Sequence, residues 1–192
     1  MIAILKYNAG NIKSVANALT RLGYDSIITD DPEKLINAEK VIFPGVGEAS
    51  SAMLYLSERG LDKTIISLKQ PVLGICLGLQ LMCSYSGEGN TKCLGIFNTN
   101  VRLFPKVDKI PHMGWNNFMT LKGVLFNGIS PEDDVYYVHS YYPEICPDTT
   151  ATCEYILPFS ASINIRNFFA TQFHPEKSAG IGERILKNFL EL

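Results

Sequence analysis

No Cys-x-x-Cys pair occurs in this chain, and its five cysteines, Cys76, Cys83, Cys93, Cys146 and Cys153, are odd in number. A disulfide framework and a zinc site are both disfavoured, and free thiols in a reducing compartment are the expectation. Neither charge is in excess: 17 Lys and Arg against 19 Asp and Glu give a formal net charge of -2, too weak a field to gather nucleic acid or an anionic membrane surface. Long hydrophobic runs are missing too. The longest are strand-sized, and Met1-Ile2-Ala3-Ile4-Leu5 lacks the basic flank, extended apolar core and small-residue cleavage site of a signal peptide. A cytoplasmic protein that contacts neither nucleic acid nor membrane is expected.

What remains is ample for a core. With 46% hydrophobic residues over 192 positions, one domain spanning 1–192 is expected. Strand-like runs at Ile2–Tyr7, Ser26–Thr29, Lys40–Phe43 and Val72–Ile75 alternate with helical patterns, which predicts a mostly parallel sheet with crossover helices. The first helix, Ile12–Leu22, sets Ile12, Val15, Leu19 and Leu22 on one face, with Asn11 placed to cap it and Gly23 to end it. A helix is expected over Leu77–Ser84. After Gly95 the signals turn to strands and hairpins, with late strands at Val135–Val138, Thr152–Ile156, Ser162–Ile165 and Phe168–Phe173 and a closing helix at Ile181–Leu190. Phe104–Gly114, rich in turn residues, reads as a functional loop.

Gly74-Ile75-Cys76-Leu77-Gly78 follows an apolar strand and precedes a helix, the setting in which a Gly-x-nucleophile-x-Gly elbow lifts a thiol to a helix N-terminus and favours the thiolate. Alone, the pentapeptide reads equally well as two glycines that let a helix approach the sheet around an inert buried cysteine. Phe43-Pro44-Gly45-Val46-Gly47 also follows a strand, and a glycine-flanked amide there, with the backbone N–H of Leu77, has the makings of an oxyanion hole. An ordinary β-turn fits the same spacing. Among the three histidines, His174 ends an apolar strand two residues before Glu176, so it can take a thiol proton while the carboxylate orients the ring. His112 and His139 read as satisfied structural residues.

Gly74-Ile75-Cys76-Leu77-Gly78-Leu79-Gln80 together with His174-Pro175-Glu176 resembles the class I, triad-type glutamine amidotransferases. Tyr7-Asn8-Ala9-Gly10-Asn11, Pro44-Gly45-Val46-Gly47, Pro111-His112-Met113-Gly114-Trp115-Asn116, Tyr137-Val138-His139-Ser140-Tyr141 and Gln172–Ser178 narrow the likeness to the branch that serves as glutaminase subunits of imidazole glycerol phosphate synthases. The chain departs from the usual opening of that branch at Lys6 and Asn8, where Asp and Gly are commoner.

The resemblance implies a flavodoxin-like α/β fold with additional antiparallel strands in the second half. It implies a Cys76, His174 and Glu176 triad, with the amides of Val46 and Leu77 near the oxyanion and glutamine contacts from Gly47, Gln80, Ser140 and Tyr141. Glutamine would be hydrolysed through a thioester to glutamate and ammonia, without metal or organic cofactor. The partner implied is a (β/α)₈-barrel synthase subunit, in a heterodimer that makes imidazole glycerol phosphate for histidine synthesis. Asn11, Met113, Trp115, Tyr136 and Lys177 would face it. Trp115, the single Trp, fits an interface hot spot or a core aromatic equally well. Glutaminase activity is expected to be low until the partner and its ligand are present. The rivals are an amidotransferase subunit for anthranilate or guanylate synthesis, a cysteine peptidase, and a catalytically silent subunit with a structural Cys76. The Pro111–Asn116 segment argues against the first of these.

Overall fold

Alternate residues of the short apolar strands feed two separate cores. The computed structural model describes residues 1–8 and 10–192; Ala9, within the Tyr7–Asn11 segment, lies outside the described residues. The first half runs β1 (Ile2–Leu5), α1 (Ile12–Arg21), β2 (Ser26–Thr29), α2 (Pro32–Ile36), β3 (Lys40–Phe43), α3 (Ala49–Glu58), α4 (Leu61–Ser67), β4 (Val72–Ile75) and α5 (Leu77–Met82). The second runs β5 (Cys83–Ser86), β6 (Thr91–Lys92), β7 (Phe97–Leu103), β8 (His112–Asn116), β9 (Thr120–Leu121), β10 (Val135–His139), β11 (Tyr141–Pro143), β12 (Thr149–Tyr155), β13 (Leu157–Ile165), β14 (Phe168–Thr171) and α6 (Ala179–Leu190).

The main sheet has the order β2-β1-β3-β4-β14-β13-β12-β9. Its first five strands are mutually parallel and the rest antiparallel. Ala3, Leu5, Val41 and Phe43 pack with α2 to α5 on one face. Ile2, Ile4, Ile42 and Leu73 pack with α1 and α6 on the other. Burial on both faces explains why β1, β4 and β14 read as unbroken buried runs instead of alternating ones. Two smaller sheets, β11-β7-β5-β6 and the β10-β8 ribbon, complete the fold, and β10 and β11 reach the elbow where the Val138 carbonyl meets Cys76 and the Tyr141 carbonyl meets Gln80.

α1 stops as its sequence predicts. Gly23 takes φ 84°, its N–H donates to the Thr20 carbonyl and the Tyr24 N–H to that of Leu19, the paired bonds of a Schellman cap. Its beginning differs from expectation: Asn11 occupies the N-cap position in a left-handed conformation, but its side chain makes no capping bond. That side chain is turned toward Glu176.

The helix expected over Leu77–Ser84 ends at Met82, because Leu94, Gly95 and Ile96 donate to the carbonyls of Leu81, Cys83 and Met82 and draw Cys83–Ser86 into a strand. α3 is blurred in the sequence by the consecutive Met53, Leu54 and Tyr55. Its buried stripe is carried by the small Ala49 and Ala52 with Leu56, while Leu54 is exposed.

Candidate active site

Cys76 joins β4 to α5 at φ 53° and ψ -103°, a conformation that costs a non-glycine residue roughly 1–3 kcal/mol. The flanking glycines make the elbow possible for steric reasons. A Cβ on Gly74 would lie 3.0 Å from backbone atoms of Gly78 and Leu79, and one on Gly78 would lie 1.9 Å from the Phe43 carbonyl oxygen. The Cys76 N–H donates to the Thr171 carbonyl at 2.8 Å, continuing the β4–β14 register to the elbow.

His174 and Glu176 follow β14 on a short 3-10 turn, Pro175–Lys177. His174 Nδ1 donates to Glu176 Oε1 at 2.8 Å, and both side chains are buried. Asn11 Nδ2 donates to the same carboxylate oxygen. It also lies 3.5 Å from His174 Nδ1, but that nitrogen is already a donor, so the carboxylate is the true partner of Asn11. Ser178 Oγ donates to the His174 carbonyl at 2.6 Å and accepts from the Tyr136 N–H at 2.9 Å, which ties the turn to β10.

Burial opposes a charge on His174, but the attraction of Cys76, followed by that of Glu176, overrides it and holds the imidazole well above its ordinary value. His174 Nε2 is buried without a hydrogen-bond partner of ordinary geometry among the described residues. The sulfur acts on the ring through its charge and through a hydrogen bond too loose to satisfy Nε2 by ordinary geometry.

Val46, Gly47, Cys76, Leu77, Gln80, Ser140 and Tyr141 all border one cavity of about 280 Å³. A larger hollow, about 650 Å³, lies against β2 and α2 away from Cys76 and is lined by none of the site residues. The smaller cavity gathers the residues that the sequence singles out. Glu88, Pro111, Val138 and His139 complete its wall. Burial raises the pKa of Glu88, whose Oε2 accepts the Ala49 N–H at 2.9 Å. Nothing in the sequence around Glu88 marked it, because it arrives from a short 3-10 turn after β5. Gln172 also went unassigned, yet its amide nitrogen lies 3.5 Å from Cys76 Sγ. Its position two residues before His174 was the available signal, since alternate residues of extended chain share a side.

The two amides expected at the oxyanion are not both free. The Leu77 N–H donates to the Gly45 carbonyl at 3.2 Å, and the planar trans peptide that aims this carbonyl at Leu77 sends the Val46 N–H the opposite way. The loop is braced from the segment after β1: Tyr7 Oη donates to the Pro44 carbonyl at 2.6 Å and the Gly10 N–H to that of Val46 at 3.1 Å.

On the β8–β10 ribbon, Tyr136 pairs with Trp115 and His139 with His112. Met113 is 61% and Trp115 54% exposed, so Trp115 is not a core aromatic. Trp115 packs edge-on against Tyr136 at 6.0 Å, and Lys177 Nζ sits 5.9 Å over the Tyr136 ring. Asn11 differs from these four, being half-buried and engaged with Glu176.

The inner face of the ribbon carries His112 and His139, 3.0 Å apart through Nδ1 and Nε2. Burial lowers their pKa values to about 4 and about 3, so both are neutral at pH 7. Unfolded imidazoles titrate near 6.5, so the unfolded chain binds more protons below that pH and the stability these residues supply falls as acid is added. The raised pKa of His174 acts in the opposite direction, above pH 6.5, and does not cancel this loss. The urea midpoint should drop between pH 6.5 and 5, above the carboxylate range, and drop less in His112→Gln. A flat profile for the native chain would contradict the neutral pair.

A family model described as glutamine amidotransferase class-I matches residues 3–192. An imidazole glycerol phosphate synthase subunit HisH from Bacteroides fragilis (strain YCH46) is 58% identical over 194 residues, covering 100% of this chain and 99% of that protein. The protein of the same name from Bacteroides thetaiotaomicron is 54% identical with the same coverage. The crystal structure of a glutamine amidotransferase superposes with a TM-score of 0.75 at 16% identity, covering 99% of this chain and 97% of that one, a likeness that speaks to the fold. Matched along its length by both the family model and these relatives, the chain belongs to the class-I glutamine amidotransferases and, among them, to the HisH subunits of imidazole glycerol phosphate synthase.

Proposed function

We propose that the chain hydrolyses L-glutamine to glutamate and ammonia at Cys76 and supplies the ammonia to the cyclase subunit of imidazole glycerol phosphate synthase, in histidine biosynthesis. The observation that carries this reading is the meeting of a strained cysteine elbow and a buried His174–Glu176 pair beside one cavity. At about 280 Å³ that cavity falls just below the roughly 300–1,000 Å³ of drug-sized sites, which suits one amino acid better than a polypeptide segment and argues against a peptidase.

Sγ attacks the side-chain amide carbon of glutamine, the C–N bond breaks, and His174 passes its proton to the departing ammonia. Water then adds to the thioester carbon while His174 takes its proton, and glutamate leaves as sulfur is released. Glu176, held in turn by Asn11, keeps the ring oriented. Gln80, Gly47, Ser140 and Tyr141 contact the substrate, and the Glu88 carboxylate offers a partner for its α-ammonium. No step requires a metal or an organic cofactor. Action in the cytoplasm belongs to the same reading, since all five cysteines are free and a thiol nucleophile needs a reducing compartment.

The resting loop limits the rate. Rotation of the Gly45–Val46 peptide would free the Leu77 N–H and turn that of Val46 into the cavity, completing the pair of donors. Losing one such donor costs about 10²–10³ in turnover. Glutamate release by the chain alone should therefore be about 10²-fold slower than in the presence of the barrel subunit and its ligand. Met113, Trp115, Tyr136 and Lys177 form the proposed docking face, so Trp115→Ala with Lys177→Ala should abolish the stimulation. Full turnover without the partner, or unchanged stimulation of the double variant, would count against this account.

A further inference from the structure

Gln172 is fully buried. Its Nε2 donates to Cys76 Sγ at 3.5 Å, while its Oε1 accepts from Gln80 Nε2 at 3.1 Å. The neighbours fix which end of this amide meets the sulfur. Gln80 Nε2 also reaches the Tyr141 carbonyl at 3.0 Å, and a carbonyl can only accept, so Gln80 presents its amino end there. The atom of Gln172 facing that amino group must be oxygen, which leaves its own N–H groups for the sulfur.

The remote side of the network agrees. His139 Nδ1–H donates to the same Tyr141 carbonyl at 2.8 Å, so its Nε2 must accept from His112 Nδ1–H, and His112 Nε2 is left to accept from Asn116 Nδ2 at 3.3 Å. With both imidazoles neutral, every link has one permitted direction.

We infer that Gln172 is a catalytic residue of this amidotransferase, its side-chain N–H donating to the Cys76 sulfur whenever that sulfur carries negative charge. This occurs twice per turnover. Before attack the thiol proton resides on His174 and the electron pair on sulfur. In deacylation the water oxygen bonds to the thioester carbon and the C–S bond breaks with its electron pair passing to sulfur. The other titratable groups around the sulfur are His174 with Glu176 behind it, Tyr7 from the loop after β1, His139 from β10, and Glu88 across the cavity. Gln172 adds an uncharged donor whose orientation does not change with pH.

The inference rests on the glutaminase reading, and alkylation separates the two. The full chain with its cyclase subunit is treated with iodoacetamide across a pH series, and the Cys76 peptide is followed by mass, with Cys83, Cys93, Cys146 and Cys153 as internal references. Native Cys76 should react first. In Gln172→Met the pH midpoint of Cys76 alkylation should rise by about one unit, equivalent to one lost hydrogen bond. Turnover should fall about tenfold at neutral pH, with KM for glutamine within about twofold. Gln172→Glu, of the same shape but able to repel the thiolate, should move the midpoint further.

A purely structural Gln172 would lower the melting temperature of both variants and leave both midpoints at the native value, which overturns the inference alone. If native Cys76 fails to react ahead of the other four thiols, the glutaminase reading fails and the inference with it.

Discussion

Cys76→Ala should reduce glutamine-dependent synthesis by the complex at least about 10⁴-fold, as loss of a covalent nucleophile does elsewhere, while synthesis from added ammonium salt continues. The substitution isolates chemistry from folding. Alanine keeps the Cβ and meets the same backbone cost at φ 53° as cysteine does, so the elbow is no more strained than before. The sulfur is nearly buried and makes two weak bonds, one accepted from Gln172 and one donated to the Val138 carbonyl at 4.0 Å, whose loss is a small structural change. His174 and Glu176 keep their mutual bond and their ties to Asn11 and Ser178. What disappears is the atom that would form the thioester. Continued ammonia use shows that the partner's own chemistry is intact, and co-elution of the two chains on gel filtration shows that they are docked, so the two readings together distinguish a lost nucleophile from a lost complex. Glutamine-dependent synthesis at the native rate in Cys76→Ala would revive the silent-subunit reading, with the cysteine merely filling space.

The parallel half of the fold was legible because each of its strands is short, apolar and followed by a helix, and because burial on both faces removes polar residues from the pattern. α1 was legible for a local reason: its apolar spacing and Gly23 are both within a few residues of what they determine. Elements whose limits depend on distant partners were not. α5 stops where residues 94–96 take its carbonyls, and α3 buries alanines instead of large side chains.

The site divides in the same way. Cys76, His174 and Glu176 announce themselves through their immediate neighbours. Asn11 was read as a helix cap and a partner contact, yet its side chain meets Glu176 across 165 positions of sequence. Gln172 meets Gln80 across 92 positions, and Glu88 reaches the cavity from a turn with no motif. The orientation of the Gly45–Val46 peptide could not be read at all, since it is one bond rotation in a loop whose sequence permits both states.

Gly78→Ala should be among the most damaging single-methyl changes in the chain, lowering the melting temperature by about 5–10 °C and glutaminase activity by at least about 10²-fold. The added Cβ would lie 1.9 Å from the Phe43 carbonyl oxygen and 3.0 Å from its carbon. Both are backbone atoms, so no rotamer change relieves the overlap and either α5 or the end of β3 must move. Each movement reaches the chemistry. Phe43 leads directly into Pro44–Gly47, and Leu77, beside the substituted residue, supplies the other proposed oxyanion donor. Displacing either segment separates the donors from the oxyanion they would stabilise.

Gly23→Ala provides the contrast. Nothing lies within 4 Å of its added Cβ, so its cost is limited to the positive φ of 84°, roughly 1 kcal/mol, at the far end of α1. That variant should melt slightly lower and turn over glutamine normally. The comparison therefore tests whether damage follows the steric contact between α5 and β3 or merely the loss of a glycine, with thermal unfolding and partner-stimulated glutamate release as the two readings. Native turnover in Gly78→Ala would mean that the close approach of these two backbones does not set the position of the oxyanion loop.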